Sequence, residues 1–405
     1  MGIGYLAAKK FGYFEDGEKY SRFEVRESLK NVLVKNDFPK ELSLIRGNIE
    51  KPISKESVFV EYTIVPEIQA EAESLLERYH PDYGAVVAMD AESGEILAMA
   101  QTSTKDHGLG NLALRSTFPA ASVFKIVTAA AAIDEGKAYT ETLIPYNGSN
   151  HTLYKKNILS HADNRWTRFV TLREAFAKSI NTVFGRLGIY KVGSKDLEKY
   201  AERFFFNKSI PSDLDIDISN TSAGQYDQYE LAEAASGFTL GNTLSPVHGA
   251  MLAAAIINEG TLVTPYIVKK AVDEFDRTLY TGHPKILGNV MSPYSAEQMK
   301  LLMHETVSRG TSRRFFKSLV SNDELADAEF GGKTGSLTAR NPDGRCDWFV
   351  GYGHDQGRKI AIAVLTVHEK YWTVKSSYVA KTLFEEIFLQ RKPASPPAES
   401  ARLKR

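Results

Sequence analysis

The segment FPAASVFKIVTAAAAID, Phe118–Asp134, sets Ser122 and Lys125 three residues apart in apolar surroundings. Lys125 is the only charge between Val123 and Ile133. The run is alanine-rich and glycine-free, with Pro119 just ahead of it, which predicts a helix buried nearly all round. A charged amine in such a place costs several kcal/mol unless it is paired or surrenders its proton. At spacing i, i+3 the two side chains share a helix face, about 5–6 Å apart between Cβ atoms. The amine can then reach the hydroxyl, and a neutral amine beside a serine is a base for a nucleophile. The plainer reading is a lysine whose stem is buried and whose amine snorkels to water.

Two more groups follow in chain order. Ser179 and Asn181 stand in AKSINTVFGRLG, and Lys333, Thr334, Gly335 and Ser336 stand in GGKTGSL. S-x-x-K, S-x-N and K-T-G each occur once in the chain. Taken alone, Ser179 and Asn181 fit a local cap, in which short polar side chains bond nearby backbone groups. Beside the other two motifs they outline serine-based acyl transfer, with Lys125 as the base that activates Ser122. Lys333 is expected to stay charged, supporting Ser179 and the field for an anionic substrate.

These residues need a frame. GAVVAMDAESGEILAMAQ, residues 84–101, is two apolar runs around a glycine-containing turn, which is a hairpin signal. Near the C-terminus EFGGKTGSL, DWFVGYG and KIAIAVLTVHE read as three strands, with turns at Asp343–Gly344 and Asp355–Gly357. Gly331, Gly332 and Gly335 keep the first of them slim, which suits close approach by a substrate backbone. SVFVEYTIV, residues 57–65, alternates like a strand, and Pro66 opens a helix in PEIQAEAESLLERY. The long stretch after the hairpin reads as helical and irregular. Within it Ser245 suits an N-cap, Pro246 a first turn and Gly260 a C-terminal stop. A last amphipathic helix, about 374–390, places Val379, Leu383, Phe384, Ile387 and Phe388 on one face. The plan is α+β: an antiparallel five-stranded sheet flanked by helices, plus a mostly helical lobe. Residues 1–60 read as a non-catalytic appendage or linker, 61–392 as the main domain, and 393–405, rich in proline, serine and alanine, as a disordered tail.

Composition removes several classes of function. Of 405 residues, 50 are lysine or arginine and 50 aspartate or glutamate, so no charge excess favours nucleic acid or acidic membranes. Cys346 is the only cysteine, which excludes a disulfide framework and a cysteine-based metal site. No run approaches the roughly 18 consecutive apolar residues of a spanning helix. There is no H-E-x-x-H, and His151 with His161 reads as a loop pair rather than a metal site. Gly351, Gly353 and Gly357 lie between two strands, so they are hairpin glycines and not a dinucleotide loop. The absence of G-x-S-x-G argues against an α/β-hydrolase.

From about Tyr62 to Leu389 the chain resembles the transpeptidase domain of penicillin-binding proteins, of the monofunctional class B kind. The trio carries the resemblance, with GAVVAMDAESGEILAMA, the stretch GQYDQYELAEAASGFTLGNTLSPVHGAMLAAAIINEG, RGTS at 309–312 and DWFVGYG. Some positions depart from the family pattern. Ala120–Ala121 stand where Pro-Gly is usual, Ile180 replaces the aspartate of S-D-N, Ser336 replaces a threonine, and Val65 stands where relatives often carry aspartate.

The resemblance implies that Ser122 attacks the carbonyl between the terminal D-alanines of a peptidoglycan stem peptide. Ser179 would relay a proton to the leaving amine, and Asn181 would hold the acyl chain's amide. Thr334, Gly335 and Ser336 would bind substrate, with Thr334 and Ser336 donating to the D-alanine carboxylate, and the oxyanion hole would be the backbone N–H groups of Ser122 and Ser336. β-Lactams would acylate the same serine. No cofactor is implied. A cell-wall synthesis complex is the expected protein partner, and the outer face of the bacterial membrane the expected place, with an anchor upstream of Met1. The alternatives are a D,D-carboxypeptidase or β-lactamase using the same trio, and a non-catalytic β-lactam sensor or scaffold.

Overall fold

The computed structural model describes residues 41–46, 53–105, 109–160, 163–221, 227–273 and 275–389. Two sequence-distant sets of strands close into one sheet. They are β1 (Tyr83–Asp90), β2 (Ile96–Ser103), β3 (Glu329–Arg340), β4 (Asp343–Asp355) and β5 (Arg358–His368). Their order is β3-β4-β5-β1-β2, antiparallel throughout. The expected five-stranded α+β plan therefore holds, and its closure is the pairing of β5 with β1, where Val364 faces Val86.

Period-two alternation gives the sheet two apolar faces. Val87 and Met89 of β1 enter one core, and Val86 and Ala88 enter the other. The helices that cover these faces and carry the site are α1 (Pro66–Tyr79), α2 (Lys125–Asp134), α3 (Asn181–Leu187), α4 (Gln228–Ser236), α5 (Pro246–Ile257), α6 (Pro293–Ser308) and α7 (Ser376–Leu389). α1 and α7 pack on the Val86 face, where Val379, Leu383, Phe384, Ile387 and Phe388 are all buried. α5 packs on the Val87 face and is buried along its whole length. Its start is as expected: the Ser245 hydroxyl accepts from the His248 N–H and Pro246 is in the first turn. It ends at Ile257, and Gly260 turns the chain three residues later with φ +88°.

The edge strand β2 is covered rather than left bare. The Gln69 amide of α1 exchanges two hydrogen bonds with the backbone of Met99, at 2.8 and 3.2 Å. At the other edge, the turn between β3 and β4 centres on Asn341–Pro342, so Asp343 and Gly344 are already strand rungs. The Asp355–Gly357 turn lies where the sequence puts it, with Gly357 at φ +80°.

The lobe is less purely helical than its sequence suggests. Short pairs form at Leu143–Tyr146 with Arg168–Thr171, and at Thr261–Val263 with Ile286–Asn289. A separate four-stranded sheet joins Glu41–Arg46, Ile53–Tyr62, Val268–Asp273 and Thr278–Thr281. Apart from Ile53–Tyr62, part of which the sequence reads as a strand, these runs are only three to six residues long, too short for periodicity to mark them clearly. The strand Ile53–Tyr62 also runs through the division expected at residue 60 and pairs with Val268–Asp273. The expected tail, 393–405, lies outside the described residues.

Candidate active site

Ser122 sits in a 3-10 turn, Ala121–Phe124, that runs directly into α2 at Lys125. The sequence predicts a helix here, and the tighter turn brings positions i and i+3 into closer register than an α-helix does. The turn is held from several sides. Ala121 adopts φ +49°, a left-handed backbone that costs a residue with a Cβ about 1–2 kcal/mol. Gly237 abuts it so closely that a Cβ there would stand 1.9 Å from the Ala121 carbonyl oxygen. Ala120 N–H donates to the Asn242 carbonyl at 2.7 Å, and Trp348 Nε1–H of β4 donates to the Pro119 carbonyl at 2.9 Å.

Lys125 is fully buried, and its Nζ has three neighbours. They are Ser122 Oγ at 2.7 Å, Asn181 Oδ1 at 2.8 Å and the Ser236 carbonyl at 2.6 Å. Asn181 Oδ1 faces the amine because its Nδ2 is committed to the His151 carbonyl at 3.0 Å. An amide oxygen and a backbone carbonyl can only accept, so two N–H bonds of the amine are spoken for. The third position of the nitrogen is aimed at Ser122. Burial, and then the charge of Lys333, hold the Lys125 pKa well below the ordinary lysine value. In the neutral amine that third position is a lone pair facing the serine hydroxyl.

Ser179 and Lys333 form the second layer. Ser179 stands on a left-handed turn, φ +55°, just before α3. The N-cap of α3 is Ile180, without a side-chain bond, so the local-cap reading does not apply. Instead the Ser179 hydroxyl accepts from Lys333 Nζ at 2.9 Å, and the same amine donates to the Thr334 carbonyl at 2.7 Å. Lys333 is fully buried, and burial lowers its pKa to about 7. Burial thus works against the charge that the sequence reading expects Lys333 to keep.

Above these groups opens a cleft of about 430 Å³. Ser122, Ser179 and Asn181 line its helical wall, and Thr334, Gly335 and Ser336 of β3 line its sheet wall. Lys125 and Lys333 lie beneath, bonded to its serines. All eight residues singled out by sequence thus meet at one site. Gly335 lets β3 lie close to the Ser122 turn: a Cβ would stand 3.2 Å from the Ser122 nitrogen and from the Ala120 carbonyl oxygen, a tight contact.

Residues 84–389 match the family model described as the penicillin binding protein transpeptidase domain. The chain belongs to that family. It is 28% identical over 345 residues to the peptidoglycan D,D-transpeptidase PbpA of Mycobacterium tuberculosis, covering 76% of this chain and 66% of that relative, just under two thirds. Among solved structures, the D,D-transpeptidase domain of a peptidoglycan glycosyltransferase from Eggerthella lenta aligns with TM-score 0.66 and 26% identity, covering 81% of this chain and 82% of that one. The imipenem acyl-enzyme complex of penicillin-binding protein A from M. tuberculosis aligns with TM-score 0.63 and 26% identity, over 82% and 80% of the two chains.

The transpeptidase cleft also contains residues that motif reading passed over. Thr311, in the RGTS segment, shares a 2.6 Å hydrogen bond with the Thr334 hydroxyl. His151 lines the cleft, and burial, followed by the charges of Lys125 and Lys333, lowers its pKa. Its suggested loop partner, His161, lies outside the described residues. Gly237, Asp347 and Lys375 also line the cleft. Gly237 carried a faint signal as the glycine closing α4 and Asp347 as the first residue of DWFVGYG, whereas Lys375 carried none, being a single charge in an ordinary context.

Proposed function

We propose that this domain is a serine D,D-transpeptidase that cross-links peptidoglycan stem peptides. The observation that carries the reading is the buried Lys125 amine, 2.7 Å from Ser122 Oγ, with its other hydrogens engaged by Asn181 and Ser236. Ser122 Oγ attacks the carbonyl between the two terminal D-alanines and passes its proton to Lys125 Nζ. Negative charge develops on the carbonyl oxygen beside the backbone N–H groups of Ser122 and Ser336. Ser179, bonded to Lys333, relays a proton to the departing amine, the proton that Lys125 took from Ser122 makes good the one Ser179 gives, and D-alanine leaves. The amine of a second stem peptide then attacks the ester, its proton passes by way of Lys125 to the departing Ser122 oxygen, and the cross-link is complete with the serine regenerated. The relative named a peptidoglycan D,D-transpeptidase supports this class of reaction, and β-lactams would stop it at the acyl-enzyme.

Resolution by an amine rather than water has its own support. Among the described residues lining the cleft, Asp347 carries the only carboxylate. It is already engaged by the Ser376 N–H at 2.8 Å and by Lys375, which leaves no poised carboxylate to activate water. The reading places the domain on the outer face of the cytoplasmic membrane, where stem peptides are joined. No helix among the described residues is long and apolar enough to cross a membrane. An export reporter fused to the C-terminus of the complete gene product checks that placement, and a purely cytoplasmic signal contradicts it.

The test of function is covalent. A fluorescent penicillin should label the wild type and stay attached, and Ser122→Ala should take no label while remaining folded. Rapid loss of label would point to a β-lactamase, and labelling of Ser122→Ala would remove Ser122 as nucleophile.

A further inference from the structure

The reaction proposed above has an anion to hold, because acyl-D-alanyl-D-alanine ends in a carboxylate and most β-lactams carry one. The lysines of the motifs are badly placed to meet it. Lys125 and Lys333 are both fully buried, direct their N–H groups to protein acceptors, and have pKa values lowered by burial. Among the described residues lining the cleft, the solvent-reaching cation is Lys375, whose side chain is 44% exposed.

Lys375 is also fixed in place. Its Nζ lies 3.4 Å from Asp347 Oδ1 and 3.2 Å from the centre of the Trp372 ring. Asp347 is itself anchored: Oδ2 accepts from the Ser376 N–H at 2.8 Å, and the Asp347 carbonyl accepts from the Ser376 hydroxyl at 2.6 Å. A lysine side chain loses substantial rotamer entropy when it is immobilised, and these contacts meet much of that cost before any ligand arrives. The position is apt. Asp347 of β4 pairs with Ser336 of β3, so the two side chains share a sheet face with Thr334, two residues back. Thr334, Ser336 and Ser377 line the same cleft as Lys375.

We propose that Lys375 is the carboxylate-binding cation of this cleft and that Asp347 is the positioning residue that aims it. The inference rests on the transpeptidase reading and adds a selectivity: ligands with an anionic end are taken, and neutral ones are refused. Neither residue belongs to the three motifs.

The test compares benzylpenicillin with its methyl ester, as second-order acylation rates, for wild type, Lys375→Met, Lys375→Arg and Asp347→Asn. For benzylpenicillin, Lys375→Met should lower the rate on the order of 10- to 100-fold, through the binding constant rather than the acylation step. The ester rate should not change, so the acid-to-ester preference collapses. Lys375→Arg should restore most of the preference, since the charge and a donor remain. Asp347→Asn should weaken it less, again through binding. Added salt should slow the wild type with benzylpenicillin and leave Lys375→Met unaffected. Equal losses on acid and ester in Lys375→Met would mark Lys375 as structural and overturn the proposal, as would a wild type indifferent to esterification. A wild type acylated by neither compound would instead overturn the underlying transpeptidase reading.

Discussion

The helical wall and the sheet wall of the cleft treat their polar groups differently. On the helical wall, Lys125 Nζ, Asn181 Oδ1 and Nδ2, and the Ser236 and His151 carbonyls form a closed chain of hydrogen bonds ending at Ser122. Two non-glycine residues there, Ala121 and Ser179, are held at positive φ. On the sheet wall, β3 is the edge of the sheet, paired along one side only with β4. Its cleft residues, Thr334, Gly335 and Ser336, present backbone and small hydroxyls. Strain and closed networks persist where geometry must be preset for a reaction. An open strand edge suits an extended peptide, which can dock by strand addition. The Ser122–Lys125 pair thus stands on the lobe, while the sheet adds Lys333 behind Ser179 and an open strand edge.

The largest test of that division is Lys125→Arg. Arginine keeps its proton at any workable pH, so it cannot serve as a base. Acylation by a labelled penicillin should fall by at least about 1,000-fold, with binding of unreacted ligand little changed. A near-normal acylation rate would make Lys125 an electrostatic group only and dissolve the contrast.

Gly237→Ala attacks the same wall through its backbone. Gly237 stands at φ +68°, and a Cβ would meet the Ala121 carbonyl at 1.9 Å. The variant should lose about 3 kcal/mol or more of stability, measured by denaturant unfolding, and surviving protein should acylate slowly. A stable, fully active variant would show that the Ser122 turn is not rigidly braced.

Lys333→Met separates stability from activity. The folded pKa of about 7 lies below the ordinary 10.5, so the folded state refuses a proton that the unfolded chain accepts. Well above pH 10.5 both states are neutral and the lysine exerts no penalty; as pH falls through 10.5 toward 7 stability drains away, and below that the loss is constant. The methionine variant should therefore be more stable at neutral pH, on the order of 1–3 kcal/mol, with the gain shrinking toward high pH. Its acylation rate should fall about 100-fold, since Ser179 loses its partner. A stability gain that grows with pH would reverse the sign of the argument.

Trp348→Phe is the mildest probe, and it acts on the join between the walls. It removes the N–H that β4 gives to the Pro119 carbonyl. Leaving that carbonyl unpaired should cost about 1–2 kcal/mol and slow acylation only a few-fold. A loss as large as that of Lys125→Arg would mean that the sheet sets the chemistry as well as the binding site.

Much of this was legible in the chain itself. Ser122, Lys125, Ser179, Asn181 and Lys333 announce themselves by type and spacing, because a side chain that does chemistry has few substitutes. The hairpin of β1 and β2, the cap at Ser245 and the apolar stripe of α7 are equally local, set by alternation, turn residues and helical period. The eight site residues could be named from motifs, whereas the protonation of Lys333 could not, since its lowered pKa comes from burial alone.

What only the tertiary structure decided are contacts between distant parts of the chain made by groups without a residue signature. The Ser236 carbonyl that orients Lys125 is a backbone atom, which any residue could supply, and it reaches the amine across 111 positions. Asp347 and Lys375 look like ordinary surface charges until β3, β4 and the start of α7 bring them to the cleft rim. The pairing of Ile53–Tyr62 with Val268–Asp273 likewise links segments some 200 residues apart. Local sequence carries periodicity, caps and reactive side chains. Burial, carbonyl direction and the meeting of remote strands exist only after the chain has closed.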